Sequence, residues 1–151
     1  MSKNPKSQLI YLLRILEYCG KIQLYLKNIK DSTIFFNKED QLYFNACLNL
    51  LIQIGEQSNK TDEFIKNAAA NVPWTMIKGF RNIAVHEYQF VDAEKVYAIC
   101  SRHIPLLQNN LEDFIKEAVQ KNLISGFELS LSKDSEFYRH VRFDKLTNEE
   151  R

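Results

Sequence analysis

From residue 9 almost to residue 120, the apolar residues of this chain recur at spacings of three and four. Little interrupts them, for the whole sequence holds only four glycines and three prolines. Such a period marks helices that each bury a stripe of side chains, so the fold expected is all-α. At 151 residues the chain is long enough to enclose a real core within one domain.

The first helix is expected from about Lys6 to Lys30. Leu9, Leu12, Leu16 and Cys19 form one apolar stripe, and Ile15, Tyr18, Ile22, Tyr25 and Ile29 form a second. Successive residues advance by about 100°, so the two stripes together cover more than half of the circumference. That width predicts burial on two sides, by the bundle core and by another subunit. A second helix spans about Lys38 to Asn59 and contains QLYFNACLNLLIQIG, a run without one charged residue. The run is short of the roughly 20 apolar residues that a membrane span needs. Its polar members Gln41, Asn45, Asn49 and Glu56 fall within one arc, with Gln53 at the edge. An uncharged polar stripe is costly to bury without partners. It faces either a wet cleft or subunit interface, or plain solvent on a face that lacks charge.

Thr61–Asp62 caps a short helical turn through Ala70, and Pro73 suits a first helical position, so a third helix starts near Trp74. Asp92 is an N-cap for a fourth helix through about Gln120, with a kink at Pro105. Past Leu123 the pattern changes. Phe127, Leu129 and Leu131 alternate, Lys133-Asp134-Ser135 resembles a turn, and Phe137, Arg139, Val141 and Phe143 alternate again. This predicts a hairpin lying on the bundle or on a neighbour, or else a disordered tail. The chain thus divides into a helical unit, 1–122, and an extension, 123–151.

Twenty Lys and Arg against nineteen Asp and Glu leave no global field to attract nucleic acid, so any such binding needs a local patch or one assembled between subunits. Cys19, Cys47 and Cys100 lack metal-ligand spacing and lie in apolar helical stretches, which predicts buried free thiols and a reducing compartment. The start, MSKNPKSQ, leads into an amphipathic segment rather than a secretory one, so a cytoplasmic protein is expected.

The segment GFRNIAVHEY, residues 79–88, carries the chemistry. Arginine offers a permanently charged planar fork for phosphate oxygens, and histidine exchanges protons near neutrality. In RNA the nucleophile is the substrate's own 2′-hydroxyl. Cleavage then requires only a proton carrier and a cation that stabilises the transition state. Arg81 and His86 supply both types, although on an ideal helix they lie about 140° apart. Asn82 and His86 share a face, so the amide can orient the ring. Alone, the spacing is weak, and a half-buried histidine bonded to a backbone carbonyl would give the same pattern.

Further blocks add to it. Ile54-Gly55-Glu56, Pro73-Trp74, the run Arg81 to Tyr88, Val91-Asp92 and Ile104-Pro105-Leu106 together resemble the HepT-like family of the HEPN superfamily, over roughly residues 9–118. These are the toxin halves of toxin–antitoxin pairs, and their motif Arg-x4-His-x-Tyr is matched at all three fixed positions. The resemblance implies a four- to five-helix up-and-down HEPN bundle that forms a homodimer, with the motifs meeting in an interfacial cleft. It implies metal-independent ribonuclease activity with no cofactor. Arg81 would hold the phosphate, His86 would transfer protons, Asn82 would support them, and Glu56 would stand near the site without a fixed role. The implied partner besides RNA is a minimal nucleotidyltransferase antitoxin that transfers AMP to Tyr88 and silences the toxin.

An alternative is a non-catalytic helical partner of such a nucleotidyltransferase. Arg139, His140, Arg142 and Lys145 either extend an RNA or antitoxin surface or are simply solvated. His103 is expected at the surface or in packing, and Trp74 is expected to anchor the third helix rather than stack a base.

Overall fold

The computed structural model describes residues 5–86 and 92–148, with side chains over 8–83 and 92–148. Its helices are α1 (Pro5–Leu26), α2 (Ser32–Asn37), α3 (Leu42–Lys60), α4 (Glu63–Ala68), α5 (Trp74–His86), α6 (Ala93–Ala98), α7 (Ile104–Gln120) and α8 (Gly126–Ser132). A π-helical turn, Ile99–His103, joins α6 to α7, and two 3-10 turns, Glu136–Tyr138 and Phe143–Lys145, follow α8. No strand occurs among the described residues.

α5 packs on α3, α3 on α1, and α1 on α7. α1 therefore sits in the middle, and Leu9, Leu12, Leu13, Ile15, Leu16, Cys19 and Ile22 are all buried. The apolar width that the sequence reading assigned partly to another subunit is accounted for within this chain, by α3 on one side and by α7 and the extension on the other.

Local capping sets the boundaries. Asp62 Oδ1 accepts from the Ile65 N–H at 2.9 Å and starts α4, while the Asp62 N–H donates to Gln8 Oε1 on α1. Asp92 Oδ1 accepts from the Glu94 and Lys95 amides and starts α6, as expected for an N-cap. Pro105 has no N–H to offer and its ring crowds the carbonyl four residues back. The chain widens into the π turn just before it, with the Ile104 N–H reaching back to the Ile99 carbonyl. Trp74 anchors the start of α5 as expected, donating from Nε1 to the Ala69 carbonyl at 3.1 Å.

The second helix departs from expectation. It starts at Leu42 rather than near Lys38, and an unexpected short helix, α2, precedes it across a turn of Glu39, Asp40 and Gln41, whose φ angles are 51°, 53° and 68°. A left-handed turn of three non-glycine residues costs about 1–2 kcal/mol for each. An aromatic cluster holds it closed: Phe35 and Phe36 from α2 meet Phe44 of α3 edge to face, with centroids 5.8 and 5.0 Å apart.

The extension is neither a hairpin nor disordered over 123–148. α7 ends on Asn122 at φ 58°, with the Leu123 N–H bonded to the Ala118 carbonyl and the Asn122 N–H to that of Val119, a Schellman stop. Ser125 then caps α8. The alternation that suggested a strand fails because a helix turns only one of Phe127, Leu129 and Leu131 inward. Leu129 is buried, while Phe127 and Leu131 are 73% and 67% exposed. Val141 and Leu146 are buried beyond it.

Two carboxylates of the bundle hold the extension down. Glu17 on α1, only 4% exposed, accepts from the His140 backbone N–H and lies 2.7 Å from His140 Nδ1. Glu112 on α7, 3% exposed, takes both Nε and Nη2 of Arg142 at 2.9 and 2.6 Å. That hydrogen bonding, together with the carboxylate's charge, raises the Arg142 pKa and keeps its guanidinium protonated. Gly20 makes the approach feasible, since a Cβ there would stand 2.5 Å from the His140 carbonyl oxygen. His140 and Arg142 are thus tied to buried carboxylates of the bundle, Arg142 while still exposed, and Arg139 and Lys145 are exposed.

Replacing Arg142 by alanine strands the Glu112 carboxylate. Because Arg142 is itself 41% exposed and water can reach the pair, the expected loss is about 2 kcal/mol, below the usual cost of breaking a fully buried pair. Urea unfolding of Arg142→Ala against the parent chain measures it, with early proteolysis within 133–148 as the accompanying sign.

Candidate active site

The arginine flagged in the sequence is placed by a glycine. At Gly55, α3 and α5 come so close that an added Cβ would meet Arg81 Cβ and the Ile77 carbonyl oxygen at 3.3 Å. Ile54 beside it is fully buried, as are Ile77 and Phe80 on α5. The Ile54-Gly55-Glu56 block therefore has a physical reading. The isoleucine fills the core, the glycine admits the neighbouring helix, and the glutamate emerges beside the arginine that helix carries.

Glu56 Oε1 lies 2.9 Å from Arg81 Nε, forming an ion pair whose side chains are 36% and 50% exposed. Lys78 and Asn82 flank Arg81 on α5, and both are exposed. Among the described residues the uncharged stripe of α3 is left exposed at Asn45 and Asn49 and half-covered at Gln41 and Gln53. It forms an open polar face that leads to Glu56 and the Arg81 pair.

His86 is the last residue of α5, one turn beyond Asn82. Its side chain, and Tyr88 altogether, lie outside the described residues. The structure thus brings together Arg81 and Glu56 among the expected site residues, with Asn82 exposed next to Arg81 on α5. Gly55 was part of the family block but carried no role in the sequence reading. A glycine inside a helical stretch, directly after buried Ile54, was the available signal.

Other chemistries have less to work with. Cys19, Cys47 and Cys100 are buried free thiols, as expected. Burial pushes the Cys19 thiol up, and hydrogen bonding to Cys47 together with burial does the same to Cys100, so neither supplies a thiolate at neutral pH. His103 is exposed on the π turn. Among the described residues no group of His, Cys, Asp and Glu gathers closely enough to hold a metal ion. None of their helices is long and apolar enough to cross a membrane.

The model of a family described as "Ribonuclease HepT-like" matches residues 15–118. Two proteins of Methanocaldococcus jannaschii with provisional RNase names are similar over 112 residues, 74% of this chain. One is 30% identical with 98% of its length covered, the other 28% identical with 90% covered. A third provisionally named RNase, from Caldanaerobacter subterraneus subsp. tengcongensis, is 27% identical over 119 residues, which cover 79% of this chain and 97% of the relative. No solved structure matches significantly.

Gly55→Val tests the placement of Arg81. A branched side chain at a 3.3 Å approach forces α5 off α3, and about 1–3 kcal/mol of stability should be lost, read as a lower urea midpoint.

Proposed function

The chain belongs to the HepT-like ribonuclease family, and on that premise we propose that it is a metal-independent RNA endonuclease whose site is built around Arg81 and His86. The observation that carries the proposal is the half-exposed guanidinium of Arg81, on a residue whose Cβ packs at Gly55 inside the family-matched segment. Arg81 takes a phosphate oxygen of the scissile diester and stabilises the charge that grows on it. His86 removes the proton from the neighbouring 2′-hydroxyl, whose oxygen attacks phosphorus. The bond from phosphorus to the 5′-oxygen breaks, and that oxygen receives a proton. The products are a 2′,3′-cyclic phosphate and a free 5′-hydroxyl. Asn82, four residues before His86 on one helix face, orients the imidazole.

The site is completed by a second copy. Gly79 lies in the middle of α5, where glycine costs about 1 kcal/mol relative to alanine. Among the described residues nothing stands within 4 Å of a Cβ added there, so none of them accounts for it. Close approach by α5 of a second copy does, and it brings two Arg81 and two His86 to one cleft. One imidazole then serves as base and the other as acid. Pairing two protomers also concentrates Lys78 and Arg81 in a chain whose net charge is only +1.

In this reading the protein is the toxin of a toxin–antitoxin pair, and its partner is a minimal nucleotidyltransferase. The Tyr88 hydroxyl attacks the α-phosphorus of ATP, pyrophosphate leaves, and the AMP adduct sets an anion beside Arg81 that excludes the RNA phosphate.

Purified protein incubated with RNA in EDTA should release cyclic-phosphate ends. Arg81→Ala and His86→Ala should each lower the rate by on the order of a hundredfold or more. Cleavage that survives both changes, or a parent protein that leaves RNA intact, removes the proposal. Intact RNA together with a stable nucleotidyltransferase complex favours a non-catalytic binding partner instead. Gly79→Leu should convert the dimer to monomer, as measured by light scattering on a sizing column.

A further inference from the structure

We propose that Glu56 is a resident counter-anion of Arg81 that substrate phosphate must displace, so that it sets the affinity of the site for RNA. The inference rests on the nuclease reading for its consequence but not for its geometry. Glu56 Oε1 is already 2.9 Å from Arg81 Nε. A phosphodiester oxygen seeking the same guanidinium meets an occupied cation and a nearby like charge. The close approach at Gly55 fixes where the Arg81 side chain starts and keeps its guanidinium within reach of Glu56, so phosphate and carboxylate compete at one place. The Glu56 side chain is 36% exposed and that of Arg81 50%, so water already competes for both, and an ion pair of this kind is weak.

The surroundings single out this carboxylate. The rest of the α3 stripe, Gln41, Asn45, Asn49 and Gln53, is neutral. A glutamine in place of Glu56 would continue that stripe and leave Arg81 fully available. A carboxylate there holds back binding through one phosphate alone, and it favours RNA that also gains contacts along the stripe or on a second copy. It also keeps the guanidinium neutralised when no RNA is present. The site then discriminates against small anions by requiring each of them to break the pair first.

The experiment uses full-length Glu56→Gln, with Glu56→Asp as the variant that keeps the charge. Binding of a labelled single-stranded oligoribonucleotide is followed by fluorescence anisotropy, and KM, kcat and the inhibition constant of inorganic phosphate are measured in EDTA. Glu56→Gln should tighten oligonucleotide binding and lower both KM and the phosphate inhibition constant by up to about fivefold, the equivalent of about 1 kcal/mol for an exposed pair. Its kcat should stay within twofold of the parent, and Glu56→Asp should behave as the parent. Glu117→Gln, which removes an exposed carboxylate on α7, controls for net charge and should change nothing. The tightening should also vanish in an Arg81→Ala background.

A fall in kcat at unchanged KM would place Glu56 in the chemical step and overturn the proposal. So would equal tightening by Glu117→Gln, or tightening that persists without Arg81. If the parent protein binds RNA without cleaving it and Glu56→Gln still tightens binding through Arg81, the nuclease reading fails while this inference stands.

Discussion

The burial of α1 on two opposite sides is the constraint from which the rest of the molecule follows. A helix with apolar residues around more than half of its surface cannot lie at the edge of a bundle, so α3 and α7 take its two flanks. Once α3 is fixed against α1, its remaining face is divided between α5 and solvent. The division falls at Gly55, and Arg81 and Glu56 meet there. The second flank, with α7, leaves a strip that the extension closes. The site and the extension are therefore built on different helices, α3 and α5 for the one and α1 and α7 for the other.

Two glycines do comparable work at the two places. Gly20 lets the backbone of His140 settle on α1, and Gly55 lets α5 settle on α3. In each case the close approach brings a glutamate of the bundle against a basic side chain. The two contacts differ in exposure and hence in role. Glu17 and Glu112 are 4% and 3% exposed and bind their partners as structure. Glu56 is open to water and holds its partner loosely.

Much of this was legible from the residues. Helical spacing gave the main helices, and Asp62, Asp92 and Trp74 announced their own roles because a cap or an anchor is a local matter. The left-handed turn at Glu39, Asp40 and Gln41 was not legible, because only Asp40 of the three tolerates positive φ with any ease and the aromatic packing of Phe35, Phe36 and Phe44 that closes over it joins two helices. The extension misled for a related reason. Three apolar residues spaced by two fit a strand as well as a helix, and the decision was made by the Ser125 cap and by the carboxylates waiting on α1 and α7. At the candidate site, Arg81 was marked by the family motif and Glu56 by the Ile54-Gly55-Glu56 block. Their pairing needed the crossing of α3 and α5, which no spacing along one helix can report.

The buried acids of α1 and α7 also bear on how this chain could be shortened. The family match stops at residue 118, so a protein trimmed to it looks complete by sequence alone. It would nevertheless carry two buried carboxylates, Glu17 and Glu112, stripped of the His140 and Arg142 groups that hydrogen-bond them in the whole chain. Such a fragment is a different object from the bundle within the whole chain, and the last turns are better regarded as the hydrogen-bond partners of its interior than as an appendage.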